Sequence, residues 1–182
     1  MSCELIIGGA RSGKSRHAEM RAREDGREVV VIATAEALDH EMAVRIERHR
    51  RDRPEHWRTR EAPRDLAGAL AAEAAPGRVV LVDCLTLWLS NRMSGFDPTR
   101  QPHDADHLPE LVAERRALLA VLPALPGRIL MVSNEVGFGL VPETPLGRLF
   151  RDEAGRLNQE IAALADRVTL VVAGLPLALK GT

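Results

Sequence analysis

Tyrosine is absent from the 182 residues, and three phenylalanines and two tryptophans make up the whole aromatic share of 3%. Stacking platforms for single-stranded nucleic acid are built from such rings, so the composition argues against a nucleic-acid partner. Cysteine is almost as scarce. Cys3 and Cys84 are too few for a disulfide framework and lack metal-ligand spacing, which leaves two buried thiols of a reduced, cytoplasmic protein as the expectation. An excess of one charge is missing too: the net value is -1, so no global field recruits nucleic acid or an anionic membrane. No apolar run approaches membrane-spanning length, and the N-terminus lacks a basic region followed by a long apolar stretch, so no membrane insertion is expected. Any affinity for phosphate has to be local.

What is present is a normal globular balance, 45% apolar and 28% charged, in a length suited to one domain spanning 1–182. Short β-branched runs recur: Glu4–Ile7, Glu28–Ile32, Val79–Val82, Ile129–Val132 and Val168–Val172. Each is apolar on both faces, as strands of a helix-covered parallel sheet must be. Between them lie helical patterns, roughly Lys14–Glu24, Ala35–Arg51, Pro63–Ala74, Leu85–Met93, Leu108–Val121 and Leu146–Asp166. Strands alternating with helices predict an α/β fold, a mostly parallel sheet with helices on both faces. The polar, proline-containing stretch Gly95–Asp104 interrupts the rhythm and reads as a surface connection.

Directly after the first strand comes Gly8-Gly9-Ala10-Arg11-Ser12-Gly13-Lys14-Ser15, which satisfies G-x-x-x-x-G-K-[ST] with a strand before it and a helix after it. Glycine permits the tight backbone, and the loop amides with the positive end of the next helix suit phosphate oxygens. In such a loop Lys14 reaches the β- and γ-phosphates, and the Ser15 hydroxyl ligates Mg²⁺. The third predicted strand ends in Asp83, at the edge where open α/β sheets bind ligands. Asp83 has two readings, a Mg²⁺ ligand or the N-cap of the following helix.

Between Arg45 and Arg60 stand seven arginines and three acids, a local formal charge of +4. Either they clamp a polyphosphate or they form a solvated helix face with i,i+4 pairs. Within this stretch Leu38, Met42 and Ile46 form an apolar stripe, and His49, three beyond Ile46, falls on the same inward face. Neutral imidazole attacks phosphorus competently, and neighbouring arginines stabilise the developing charge. The competing reading is a hydrogen-bonded core histidine. His17, His40, His56, His103 and His107 show no metal spacing and receive no role.

Taken in order, Gly8–Arg16, Ile32-Ala33-Thr34-Ala35, Asp39–Met42 with Arg45-Ile46 and His49, Arg53-Pro54, Trp57–Glu61, Asp83–Thr86, Ser133–Gly137 with Val141-Pro142, Gly155–Gln159 and Val172–Pro176 resemble one family over essentially the whole chain. It is that of the bifunctional adenosylcobinamide kinase / adenosylcobinamide-phosphate guanylyltransferases. The resemblance implies a P-loop NTPase fold of RecA-like type and two reactions. A nucleoside triphosphate, ATP or GTP, phosphorylates adenosylcobinamide. GMP is then transferred from GTP to adenosylcobinamide phosphate through a histidine phosphoramidate. By position that histidine is His49, preceded here by Arg48. The implied nucleotide contacts are Gly8, Gly9, Ala10, Arg11, Ser12, Gly13, Lys14, Ser15, Ala33, Thr34, Ala35, Arg50, Arg51, Asp52, Arg53, Glu61 and Asp83, with Ser15 and Asp83 at Mg²⁺. A homotrimer is implied as well. Glu135 stands open between a substrate or metal contact and a structural role.

Two rival readings remain at this level. One is a kinase of a different small hydroxyl substrate, with the arginine helix as a phosphate-clamping lid. The other is a non-catalytic GTP-binding module, which lacks here the Asn-Lys-x-Asp guanine reader usual in such proteins.

Overall fold

Each apolar run does become a strand. The computed structural model describes residues 2–37, 39–93 and 108–181, Arg45 by its backbone alone. Leu38 of the predicted stripe, the Gly95–Asp104 connection, His103 and His107 lie outside the described residues. In chain order the elements are β1 (Ser2–Gly8), α1 (Lys14–Asp25), β2 (Glu28–Ala33), α2 (His40–Asp52), β3 (Arg58–Glu61), α3 (Leu66–Glu73), β4 (Arg78–Asp83), α4 (Leu85–Arg92), α5 (Pro109–Val121), β5 (Arg128–Asn134), α6 (Pro145–Leu164), β6 (Arg167–Val172) and β7 (Leu175–Lys180).

The sheet runs β3-β2-β4-β5-β1-β6-β7, with β7 antiparallel and every other pair parallel. One strand, β5, therefore separates β1, which feeds the glycine loop, from β4, which ends in Asp83. The mostly parallel α/β sheet expected from the sequence is thus present. On one face Leu66, Leu70, Trp88, Leu89, Leu111 and Ile161 from α3 to α6 pack against Leu5, Val80, Val82 and Met131. The other face is thinner: Ala18 and Ala22 of α1 let that helix sit close on Ile6, Val31, Leu81 and Leu130. Both cysteines are free and buried, as expected. Burial pushes the Cys3 thiol up to about 12, with Asp166 and Glu4 adding to it. No helix among the described residues is long and apolar enough to cross a membrane.

Two strands escape the hydrophobic pattern. β3 reads Arg-Thr-Arg-Glu and β7 carries Pro176, and both lie at sheet edges, where one side of the ladder and much of the side-chain surface face water. Helix starts were also drawn too early. α2 begins after Asp39, whose carboxylate accepts from the Met42 amide at 2.7 Å, and α3 after Asp65, which accepts from the Gly68 amide at 2.8 Å. Capping by a short acid ends the competition between coil and helix at those points.

At the amino edge of the sheet a buried ionic network ties strands to α1. Glu4, 2% exposed, accepts from Arg21, Arg128 and the Thr169 hydroxyl. Asp25 accepts from Arg27 and, at 2.9 Å, from Arg128. The hydrogen bond from Arg27 is the main cause that holds the Asp25 carboxyl at about 2, below its ordinary 3.8. A depressed carboxyl stabilises the fold fully above its ordinary value and stops doing so as pH falls towards its folded one. Urea unfolding between pH 3.8 and about 2 is therefore expected to show the wild type losing on the order of 2 kcal/mol that Asp25→Asn does not lose over the same range.

Candidate active site

The glycine loop is shaped by contacts that only glycine tolerates. A Cβ on Gly8 would lie 2.5 Å from both the Ser12 Oγ and the Val171 carbonyl. Gly13, immediately before α1, has φ of 95°, in the left-handed region. Lys14 is buried, and its ammonium donates to the Gly9 carbonyl at 3.1 Å, arching over the loop. The Ser12 Oγ is buried without a hydrogen-bond partner, an unmet donor where phosphate oxygens are expected. A brace comes from the far end of the chain. Ala173 and Gly174, both with positive φ, turn β6 into β7, and the Gly174 amide donates to the Ser12 carbonyl at 2.8 Å. The sequence reading held these two residues only as part of a motif and missed the bracing.

At the carboxyl ends of β2, β3 and β4, the same sheet edge as the loop, opens a cavity of about 580 Å³. Ala33 and Ala35 line it from β2 and the segment after it, Glu61 from β3, Asp83 from β4, Ala43, Ile46, His49 and Arg50 from α2, and Arg53 from the cap just after that helix. The α2 positions repeat at three- and four-residue steps, so one helical face looks into the cavity. His49 is on that face, but the expectation that it turns into the protein body needs correcting. No described side chain of α2 is buried, and His49 is exposed. The helix roofs an open cleft instead of closing on a core. A packed core histidine is thereby excluded.

Asp83 is not a helix cap. The residue before α4 is Cys84, which makes no side-chain cap, and Asp83 is the last residue of β4. Its Oδ2 accepts from Arg53 at 2.6 Å, and Arg53, 6% exposed, also lies 4.0 Å from Glu19 of α1. The Arg53 Nε is buried without an acceptor. Burial raises the Glu19 carboxyl, Arg53 opposes that, Asp83 adds to it, and His49 is close enough to lower it slightly. Lys14 acts likewise on Cys84, whose thiol burial pushes up. Glu19, a residue that sequence reasoning missed, thus faces the same Arg53 that holds Asp83 at the cavity wall.

The remaining predicted residues divide. Arg50 pairs with Glu61 across the cavity wall. Arg51 pairs with Glu47 at 3.0 Å, four residues earlier, and neither Arg51 nor Asp52 lines the cavity. Arg58 and Arg60 are spent on Glu28 and Glu73 at the sheet edge. The arginine run is neither wholly a clamp nor wholly a solvated face. Thr34 is fully buried, with its hydroxyl bonded to both the carbonyl and the amide of Cys84 and its own carbonyl taken by Asn91, so it holds the cavity floor. Glu135 bonds the Gly137 amide with its carboxylate and the Gly8 carbonyl with its amide, the structural option of the two open for it.

A divalent ion would find hard oxygen donors in the Ser15 hydroxyl and the Asp83 carboxylate. No group of three or more His, Cys, Asp or Glu able to hold a metal occurs among the described residues. Few protein donors suit Mg²⁺, which keeps waters and takes the rest of its shell from phosphates. Arg53 already engages the Asp83 carboxylate that such an ion would use.

Comparison with known proteins gives a consistent result. Residues 4–179 match the family model described as cobinamide kinase / cobinamide phosphate guanyltransferase. A bifunctional adenosylcobalamin biosynthesis protein of Pseudomonas aeruginosa is 55% identical over 178 residues, 98% of this chain and 97% of that protein. Similar proteins of Escherichia coli and Salmonella typhimurium are 45% and 44% identical over 179 residues, 97% of this chain and 98% of each relative.

Proposed function

The chain belongs to the cobinamide kinase / cobinamide phosphate guanyltransferase family, and on that premise we propose that this bifunctional enzyme of adenosylcobalamin assembly runs both reactions at the carboxyl edge of its sheet. Lys14 and the glycine loop serve the β/γ end of a bound nucleoside triphosphate, ATP or GTP, and His49 serves the α-phosphorus of GTP. The observation that carries this reading is the shared cavity: His49 and Arg50 from α2 and Arg53 just after it open onto the same space as Asp83, at the sheet edge from which the phosphate loop also leaves β1.

In the kinase step the hydroxyl oxygen of adenosylcobinamide bonds to the γ-phosphorus and releases its proton to water, the bond from that phosphorus to the β-γ bridging oxygen breaks, and the nucleoside diphosphate leaves. Charge gathering on the bridge and the β-phosphate meets the Lys14 ammonium and the loop amides. In the second reaction an imidazole nitrogen of His49 bonds to the α-phosphorus of GTP and pyrophosphate departs. A phosphate oxygen of adenosylcobinamide phosphate then attacks that phosphorus, the P–N bond breaks, and the imidazole is regenerated. Splitting the transfer lets pyrophosphate vacate the cleft before the bulky corrinoid phosphate arrives. The guanidinium groups of Arg50 and Arg53 offset the negative charge that builds at phosphorus in both halves of this transfer. Mg²⁺, held by Ser15 and Asp83 when bound, would supply further neutralisation of the triphosphate. Work in the cytoplasm as a homotrimer belongs to the same proposal. Support for self-association comes from β7, whose Leu175, Leu177 and Leu179 are all exposed along an open sheet edge.

Incubation with α-labelled GTP and Mg²⁺, followed by peptide mass mapping, tests the covalent step. The expected product is a GMP adduct on His49, stable in alkali and lost in acid. A fully active enzyme that never acquires label, or carries it on another residue, refutes the assignment.

A further inference from the structure

Resting on the functional reading above, the geometry points to a docking site for the corrin macrocycle: we propose that the loop tip bearing Phe138, Leu140 and Val141 is the apolar lip on which the ring of adenosylcobinamide lies while its aminopropanol tail reaches the nucleotide. These three side chains are 84%, 95% and 64% exposed, among the most exposed large apolar groups described. Contiguous exposed apolar surface, unlike single scattered residues, marks an interaction or ligand site.

The tip is not a loose excursion. On its β5 side the Asn134 amide donates to the Thr86 hydroxyl at 2.8 Å and the Glu135 amide to the Gly8 carbonyl at 3.0 Å. On its α6 side Arg148 donates to the carbonyls of Pro142 and Glu143, and the Thr144 hydroxyl caps the Gly147 amide. Both stems are anchored, so the apolar residues are held out at a defined place. That place is set by sheet order. β5 stands between β4 and β1, so the loop leaves the sheet between Asp83 and the phosphate loop, and its first residue is bonded to Gly8.

Substrate chemistry selects the occupant. The cavity of about 580 Å³ is walled by arginines and carboxylates and falls in the size range of a pocket for one small molecule. A nucleoside triphosphate uses it. A corrin ring is wide, nearly flat and fringed with methyl groups, and its reactive hydroxyl sits at the end of a flexible tail. The ring has to rest outside the polar cavity with the tail directed inward. A second copy of the chain is the less suited occupant here, because the exposed row of β7 lies two strands beyond β1 at the sheet's far edge, whereas the base of this lip is hydrogen-bonded to Gly8 of the phosphate loop.

The test is a double substitution, Phe138→Ala with Leu140→Ala, at positions whose exposure makes misfolding improbable on physical grounds. Equilibrium dialysis of adenosylcobinamide, followed by corrinoid absorbance, should show a dissociation constant raised roughly 10-fold or more, with binding of a fluorescent GTP analogue changed less than about twofold. GTP-dependent labelling and the sedimentation coefficient should stay as in wild type. Unchanged corrinoid affinity in the variant overturns the lip and leaves the enzyme's assignment intact. A changed sedimentation coefficient also overturns it, by making the loop a subunit contact. If the wild type itself binds no adenosylcobinamide, the functional reading falls first and the lip with it.

Discussion

His49→Ala is expected to lower guanylyl transfer by at least roughly 10³-fold, the scale seen when a covalent nucleophile is removed, while leaving phosphorylation of adenosylcobinamide within a few-fold of wild type. Nothing else on the cavity wall replaces the imidazole. The guanidinium groups of Arg50 and Arg53 have no lone pair to offer, and the carboxylates of Glu36, Glu47, Glu61 and Asp83 are poor matches for an anionic polyphosphate. Loss of fold is not a competing explanation. His49 is exposed on a helix without a buried side chain among those described, so its truncation costs little stability. Separate assays of the two half-reactions make the check: phosphoryl transfer with γ-labelled nucleotide, and formation of the GDP-linked product from preformed adenosylcobinamide phosphate. Equal loss in both would mean that His49 holds the nucleotide or the helix, and the phosphoramidate scheme would fail.

The second large effect is the opposite in pattern. Lys14→Ala should depress both half-reactions, each by about 10² to 10³-fold, because a preorganised charge facing the β/γ end serves any triphosphate bound in the loop. Lys14→Arg should not rescue it. The ammonium is a compact group arched over the loop onto Gly9, in a buried position, and a planar guanidinium has a different shape and reach. Kinetics of each half-reaction, with nucleotide affinity measured in parallel, decide the matter. If guanylyl transfer survives when phosphoryl transfer is gone, the two reactions do not share the phosphate loop, and the one-cleft proposal gives way to two nucleotide sites.

Between these two residues lies the most revealing contact of the site. Arg53 and Asp83 are thirty positions apart and meet at 2.6 Å in a nearly buried pair. A buried pair of this kind costs desolvation on both partners, and removing one partner leaves the other charged and stranded. It joins the end of the arginine helix to the strand end expected at Mg²⁺. The sequence reading had both residues in the site, but one as a phosphate clamp and the other as a metal ligand or a cap. That they hold each other was not legible, since no local pattern encodes a partner across three elements.

Much else was legible because it is local. The five inner strands announce themselves through β-branched runs apolar on both faces, which only a covered parallel sheet can bury. Gly8 to Ser15 is legible for a similar reason, since its glycines answer to backbone limits within a few residues of themselves. β3 and β7 were missed because an edge strand is held by one neighbour's ladder: Arg58–Glu61 is wholly polar, and Leu175–Lys180 carries Pro176 and leaves its alternating leucines exposed. His49 was placed on the right helical face by spacing, yet whether that face meets a core or a cleft depended on how α2 seats over the ends of β2, β3 and β4.

By itself, then, the sequence determined which segments form strands and helices, where a phosphate loop must arise, and which family's order of motifs the chain carries. The tertiary structure alone decided that β5 separates loop from Asp83, that Arg53 and not a helix amide takes that carboxylate, that Gly174 braces Ser12, and that the Phe138 loop emerges at the rim. Backbone conformation is governed by atoms a few bonds away and so is written into neighbouring residues. Which strands lie side by side is governed by how whole faces bury one another, and that information belongs to the folded chain as a unit.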